Sequence, residues 1–61
     1  MPQNPQEYIK SLIKKGFTEQ WIAQRANLSQ STVNRIKVGV VQYPRWNTAK
    51  NIERIYLQFA Q

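Results

Sequence analysis

The hydrophobic residues of this 61-residue chain recur at intervals of three and four positions, in four successive blocks. Such spacing places apolar side chains on one face of an α-helix. The blocks predict helices over residues 5–15, 19–26, 30–38 and 48–59. Strand-favouring residues are concentrated only in 38–43, between two predicted helices. The pattern therefore predicts an all-α fold, a single small four-helix domain spanning residues 1–61.

Residues that favour helix starts stand before the predicted helices. Asn4, Thr18 and Ser29 precede the first three blocks, and each can accept a hydrogen bond from an unsatisfied backbone amide. Before the fourth block, either Asn47 or Thr48 is expected to do the same. Local capping residues therefore predict where the helices start.

The second and third predicted helices are separated by a turn of only a few residues. Asn27 stands at this turn, where a left-handed backbone is needed, and Asn adopts that conformation most readily after Gly. The small side chain of Ala23 permits close approach of the following helix. Val33 and Ile36 are expected to face the core. A short helix, a tight turn and a second capped helix form a helix-turn-helix, and such a unit exposes its second helix for insertion into a DNA major groove.

The composition narrows the chemistry. The chain has no Cys and no His, which excludes disulfides, thiolate nucleophiles, imidazole bases and the usual zinc sites. Its three acidic residues, Glu7, Glu19 and Glu53, fall on three different predicted helices and form no carboxylate cluster for a metal nuclease. We therefore expect no enzymatic activity, no metal and no cofactor.

The charge indicates the class of partner. Nine basic residues against three acidic ones give a net charge of +6 and a pI near 10.2. A small domain with this charge is expected to bind an anion, nucleic acid first. The sequence has neither a transmembrane span nor the apolar segment of a signal peptide. The expectation is a cytoplasmic, nucleoid-associated protein with no membrane partner and no small-molecule ligand.

A stretch of about half the chain, from Phe17 to Trp46, resembles the helix-turn-helix repressor and Cro proteins of lambdoid phages, within the wider Xre-like family. The residues that carry the resemblance are Thr18, Ile22-Ala23-Gln24, Asn27, Ser29-Gln30, Val33, Ile36, Gly39 and Pro44-Arg45-Trp46. In that family a Pro-Arg-aromatic element follows the recognition helix after a loop of similar length. The resemblance implies a lambda-repressor-like fold, operator binding as a symmetric dimer and transcriptional repression. The sequence departs from the family at Asn27, usually Gly, and at Glu19, where a phosphate-contacting Gln is frequent.

The candidate contacts follow from side-chain chemistry and from the motif. Amides can bind adenine and arginine can bind guanine through paired hydrogen bonds, so the outer face of the third helix is expected to contact base edges. The predicted base contacts are Gln30, Ser31, Asn34 and Arg35. The predicted phosphate contacts are Thr18, Gln20, Gln24, Ser29, Lys37, Gln42, Tyr43 and Arg45. The predicted dimer interface comprises Pro44, Trp46, Ile55, Tyr56 and Phe59.

The aromatic residues are assigned to packing. Phe17, Trp46, Tyr56 and Phe59 occupy positions compatible with the core. Trp21 lies off the inward face of its helix, where it could stack on Arg25, cover the first or fourth helix or belong to an interface.

Two functions from different classes stay open. The first is a dimeric regulator that recognises an inverted-repeat operator in double-stranded DNA. The second is a protein-interaction module, such as a phage or mobile-element inhibitor of a host protein, that keeps the scaffold without recognising DNA. Glu19 and Trp21 are the features that support the second.

Overall fold

The computed structural model describes residues 4–41 and 44–59. They form four α-helices: α1 (Pro5–Lys14), α2 (Glu19–Ala26), α3 (Gln30–Val38) and α4 (Trp46–Phe59). No strand occurs in the described ranges. The prediction of a small all-α, four-helix domain is confirmed, and the first three helices agree with the predicted ones to within one residue at each end.

The predicted caps account for this agreement. The side chains of Asn4, Thr18 and Ser29 each accept a hydrogen bond from the amide three residues later, at 2.9, 3.0 and 3.1 Å respectively. Asn27 ends α2 in the left-handed conformation with a φ of 59°, and Gly39 ends α3 with a φ of 93°. Local capping chemistry therefore sets both ends of α2 and α3.

One hydrophobic core lies between the helices. α1 and α2 each pack against both α3 and α4, whereas α3 and α4 do not pack against each other. The core contains no buried polar side chain among the described residues. Its members are Tyr8, Ile9, Leu12, Ile22, Ala23, Ala26, Val33, Ile36, Ile52 and Ile55.

The start of α4 corrects the prediction. The helix begins at Trp46, and its first turn closes through the Ala49 amide, which donates to the carbonyl of Arg45 at 2.9 Å. Asn47 and Thr48 lie inside the helix and do not cap it. A side-chain cap is dispensable here because the first amides of an exposed helix end can be satisfied by water.

The position of Trp46 is a second correction. It was expected in the core, yet it is 72% exposed. Once Trp46 belongs to α4, it precedes the buried Ile55 by nine residues, which corresponds to about half a turn around the helix and places it on the opposite face. Phe17, Tyr56 and Phe59 do pack against the core as expected.

No described helix is both long and apolar enough to span a bilayer.

Candidate nucleic-acid interface

The turn between α2 and α3 is short and contains the left-handed residue expected for a helix-turn-helix. Residues 27–29 join the two helices. The left-handed backbone of Asn27 reverses the chain, and the Leu28 amide donates to the Ala23 carbonyl at 2.8 Å. Ser29 then starts α3 at once. The orientation of α3 relative to α2 is thus fixed by backbone hydrogen bonds at the turn and by the buried faces that the two helices share.

Two side chains from outside the motif also hold its helix ends. The Gln6 side chain, on α1, donates to the Lys37 carbonyl at 3.0 Å in the last turn of α3. The Asn51 side chain, on α4, donates to the Ala26 carbonyl at 3.3 Å at the end of α2. Terminal carbonyls have no partner within their own helix, so these amides supply one. Both links span more than twenty residues, and no local sequence signal indicates them.

The four predicted base contacts lie together on the surface. Gln30, Ser31, Asn34 and Arg35 are all exposed on α3. They line one shallow open groove together with Glu19 of α2. We call these four residues the α3 outer face. None of them takes part in the core, so contact between these side chains and a ligand requires no change in core packing.

The side chains of the α3 outer face differ in whether they form hydrogen bonds within the protein. In the part of the chain that the structure describes, Gln30, Ser31 and Arg35 make no side-chain hydrogen bond or ion pair. Asn34 is different, because its amide donates to both carboxylate oxygens of Glu19, at 3.2 and 3.4 Å. Arg35 is therefore an exposed cation on α3. Among the residues that the structure describes, no carboxylate forms an ion pair with it.

Glu19 links α2 to α3. Its carboxylate forms an ion pair with Lys37 and accepts hydrogen bonds from Asn34. Hydrogen bonds from Lys37, then from Asn34, lower the pKa of Glu19, because both favour the ionised form. The carboxylate that would repel DNA is thus neutralised by a cation of the same motif. This pairing also means that Lys37 and Asn34 must leave Glu19, or share it, before contacting a nucleic acid.

The predicted phosphate contacts are distributed over several elements. The hydroxyls of Thr18 and Ser29 serve as helix caps and remain on the exposed surface. Gln20 and Gln24 are exposed on α2, and Arg45 is exposed directly before α4. Gln42 and Tyr43 lie outside the described residues.

Val38 extends the α3 outer face beyond the sequence prediction. It is 57% exposed and follows Asn34 by four residues and Ser31 by seven, so it lies on the same side of the helix. A branched apolar side chain there can contact the methyl group of thymine. Helical spacing alone could have identified it, but sequence reasoning considered only polar side chains.

Trp21 is part of an aromatic cluster. Its ring stacks on Phe17 at 4.3 Å between centroids and meets the edge of Phe59 at 5.0 Å. The Arg25 guanidinium lies 5.2 Å from the Trp21 centroid and 5.3 Å from that of Phe59. Two of the predicted alternatives, stacking on Arg25 and covering α4, are therefore both observed. Trp21 packs between α2 and the end of α4.

The predicted dimer interface needs partial revision. Ile55 is 5% exposed, within the core of its own chain, so it offers almost no surface to a second one. Tyr56 is half-buried against Tyr8, with ring centroids 4.5 Å apart, and Phe59 belongs to the aromatic cluster. Pro44 is half-buried. Trp46 is the one predicted interface residue that is largely exposed.

Comparison with known proteins finds similarity to a phage protein. The chain is 29% identical over 58 residues to "Putative protein P2" of Acyrthosiphon pisum secondary endosymbiont phage 1. The alignment covers 95% of this chain and 62% of the phage protein, so the chain spans less than two thirds of that relative's length. No protein-family profile matches the chain, and no solved structure matches it.

Proposed function

We propose that this protein is a sequence-specific double-stranded DNA-binding regulator that acts as a homodimer. In this proposal α3 lies in the major groove, and Gln30, Ser31 and Arg35 contact base edges. The single observation that supports it most is the α3 outer face itself: polar side chains suited to base contacts, exposed on the second helix of a tightly turned pair. The resemblance to lambdoid repressor and Cro proteins and the similarity to a phage protein are consistent with this function.

The distribution of charge supports the same function. Arg35 lies on the α3 outer face, and Arg45 is exposed before α4. Lys10, Lys14 and Lys15 are also exposed and add to the general positive field. Charge of this kind attracts the phosphate backbone without distinguishing sequences. Sequence preference must then come from uncharged groups of α3, with Arg35 as the cationic exception.

The experiment is selection of bound sequences from a random double-stranded DNA pool with the full chain, at a fixed salt concentration. We expect an inverted repeat whose half-site centres are about 10 bp apart or a multiple of that distance. Gln30→Ala should then lower affinity for the selected site by about 1–3 kcal/mol, roughly 5- to 150-fold, and relax the preference at one base pair of each half-site. Gln58→Ala is the matched control, because Gln58 is also an exposed glutamine but lies on α4.

The alternative class, a protein-interaction module without base recognition, predicts a different outcome. Such a protein would retain salt-dependent, sequence-independent binding from its charge and would enrich no motif. The absence of an enriched motif, together with unchanged DNA binding by Gln30→Ala and Arg35→Ala, would contradict the proposed function.

A further inference from the structure

We infer that the exposed face of α4 is the surface through which two copies of this chain associate. The inference specifies the homodimer of the proposed function and rests on it for its biological role. The residues concerned are Trp46, Lys50, Glu53 and Leu57, which we call the α4 stripe. Trp46 is 72% exposed and Leu57 is 50% exposed, and both line one shallow groove that also contains Lys50 and Glu53.

Helical geometry brings these four side chains onto one line. At roughly 100° per residue they fall within about 60° of the helix circumference, on the side opposite the buried Ile52 and Ile55. Trp46 and Leu57 are about 16 Å apart along the helix axis, since they are eleven positions apart in the sequence. The stripe thus has an apolar residue at each end and a charged pair between them, with Lys50 Nζ 3.1 Å from Glu53 Oε1.

The order of residues in the stripe is self-complementary. The midpoint between Trp46 and Leu57 along the sequence falls between Asn51 and Ile52, and so does the midpoint between Lys50 and Glu53. A twofold axis through that point pairs two antiparallel α4 helices. Trp46 of one copy then faces Leu57 of the other, and Lys50 faces Glu53. Every contact occurs twice, as a symmetric interface requires.

The size of the interface indicates how strong the association is. A contact made mainly by one pair of 14-residue helices is at or below the lower end of stable interfaces, which bury about 1,200 Å² or more in total. The net charge of +6 on each copy opposes association further at low salt. We therefore expect a weak, concentration-dependent dimer that two adjacent half-sites of DNA would stabilise.

The test is sedimentation equilibrium of the full chain without DNA, at about 0.15 M salt, where charges more than roughly 8 Å apart are screened. The parent is expected to associate reversibly as concentration rises. Trp46→Ala and Leu57→Ala should each weaken association at least tenfold. Val40→Ala is the control, since Val40 is 73% exposed but lies outside α4 and should associate as the parent does. Thermal unfolding of each variant verifies that the fold is intact.

A mixing experiment separates pairing between copies from the ion pair within one helix. Lys50→Glu and Glu53→Lys each place like charges opposite one another in their own homodimer, and each should be monomeric alone. In an equimolar mixture every Glu at one of these positions faces a Lys, so the heterodimer should form. A mixture that stays monomeric, or a parent that stays monomeric at every concentration, would overturn the inference.

The two proposals fail separately. If the mixture associates but no DNA motif is enriched, the α4 interface is supported and the proposed DNA-binding function is contradicted. Enrichment of an inverted repeat with Trp46→Ala and Leu57→Ala associating as the parent would retain the regulator and place its dimer surface elsewhere.

Discussion

The outer faces of α3 and α4 are both largely exposed, yet their composition differs. On α3, nine residues long, the core is contacted by Val33 and Ile36, and the opposite side is mainly polar. On α4, with 14 residues, Ile52 and Ile55 are buried while Trp46 and Leu57 remain exposed on the far side. A polar face that binds a polar ligand is well solvated in the free protein, so its exposure costs little stability. The exposed tryptophan and leucine are the observations on which the proposed contact with a second copy rests.

The inner faces of the two helices, unlike the outer ones, are expected to contribute equally to stability. Ile36 is 1% exposed and Ile52 is fully buried, so truncation of either leaves a cavity. Ile36→Ala and Ile52→Ala should each lower the free energy of unfolding by about 2–5 kcal/mol, a large share of the stability of so small a domain. Urea unfolding monitored by circular dichroism measures this. If Ile36→Ala cost less than about 1 kcal/mol, α3 would be loosely packed and unsuited to hold base contacts in register.

The outer faces, in contrast, should differ in DNA binding. Arg35 on α3 and Arg54 on α4 are both exposed, which makes them a matched pair. Arg35→Ala should lower affinity for the selected site by about 1–3 kcal/mol, because a base contact is lost, while Arg54→Ala should change it far less. Fluorescence anisotropy with labelled DNA at constant salt measures both. Equal losses would show that arginine contributes only to the general field.

The two faces also differ in how far sequence reasoning could define them. The α3 outer face was predicted correctly as an exposed group, because caps and turn residues act within three or four positions and fix the register of a short helix. The start of α4 was missed, because a backbone carbonyl, at Arg45, begins it without a side-chain signal. Because the helix starts earlier than predicted, Trp46 belongs to α4 and lies on the face opposite the buried Ile55. Contacts between distant positions, such as Glu19 with Lys37, depend on how helices pack, which periodicity does not specify.

The turn that presents α3 offers a smaller effect. Asn27 has a φ of 59°, a conformation that glycine adopts without strain and alanine does not. Asn27→Gly should leave stability nearly unchanged, whereas Asn27→Ala should lower it by about 1 kcal/mol. Asn47→Ala, at an exposed position inside α4, is the control. Thermal unfolding distinguishes the variants. If Asn27→Ala were as stable as the parent, the left-handed turn would not limit the geometry of the motif.

The smallest expected effect concerns the two ion pairs, one on each side of the comparison. Glu19–Lys37 joins α2 to α3, whereas Glu53–Lys50 lies within α4. The pKa of Glu19 is lowered from its ordinary value of 4.5 by hydrogen bonds from Lys37 and Asn34. A carboxyl group whose pKa is lower in the folded state stabilises the fold fully above its unfolded pKa. That stabilisation disappears as the pH falls through the lower, folded pKa.

Glu19→Gln should therefore be less stable than the parent near pH 7, and the difference should shrink as the pH is lowered below about 4.5. Urea unfolding at several pH values measures this, with Glu7→Gln as the control at an exposed acid of α1. The same variant releases Lys37 and removes a negative charge beside the α3 outer face. DNA affinity should rise and its dependence on salt should steepen, because one more cation per copy can contact phosphate. Unchanged DNA binding would show that the Glu19–Lys37 ion pair persists in the complex and that Lys37 makes no phosphate contact.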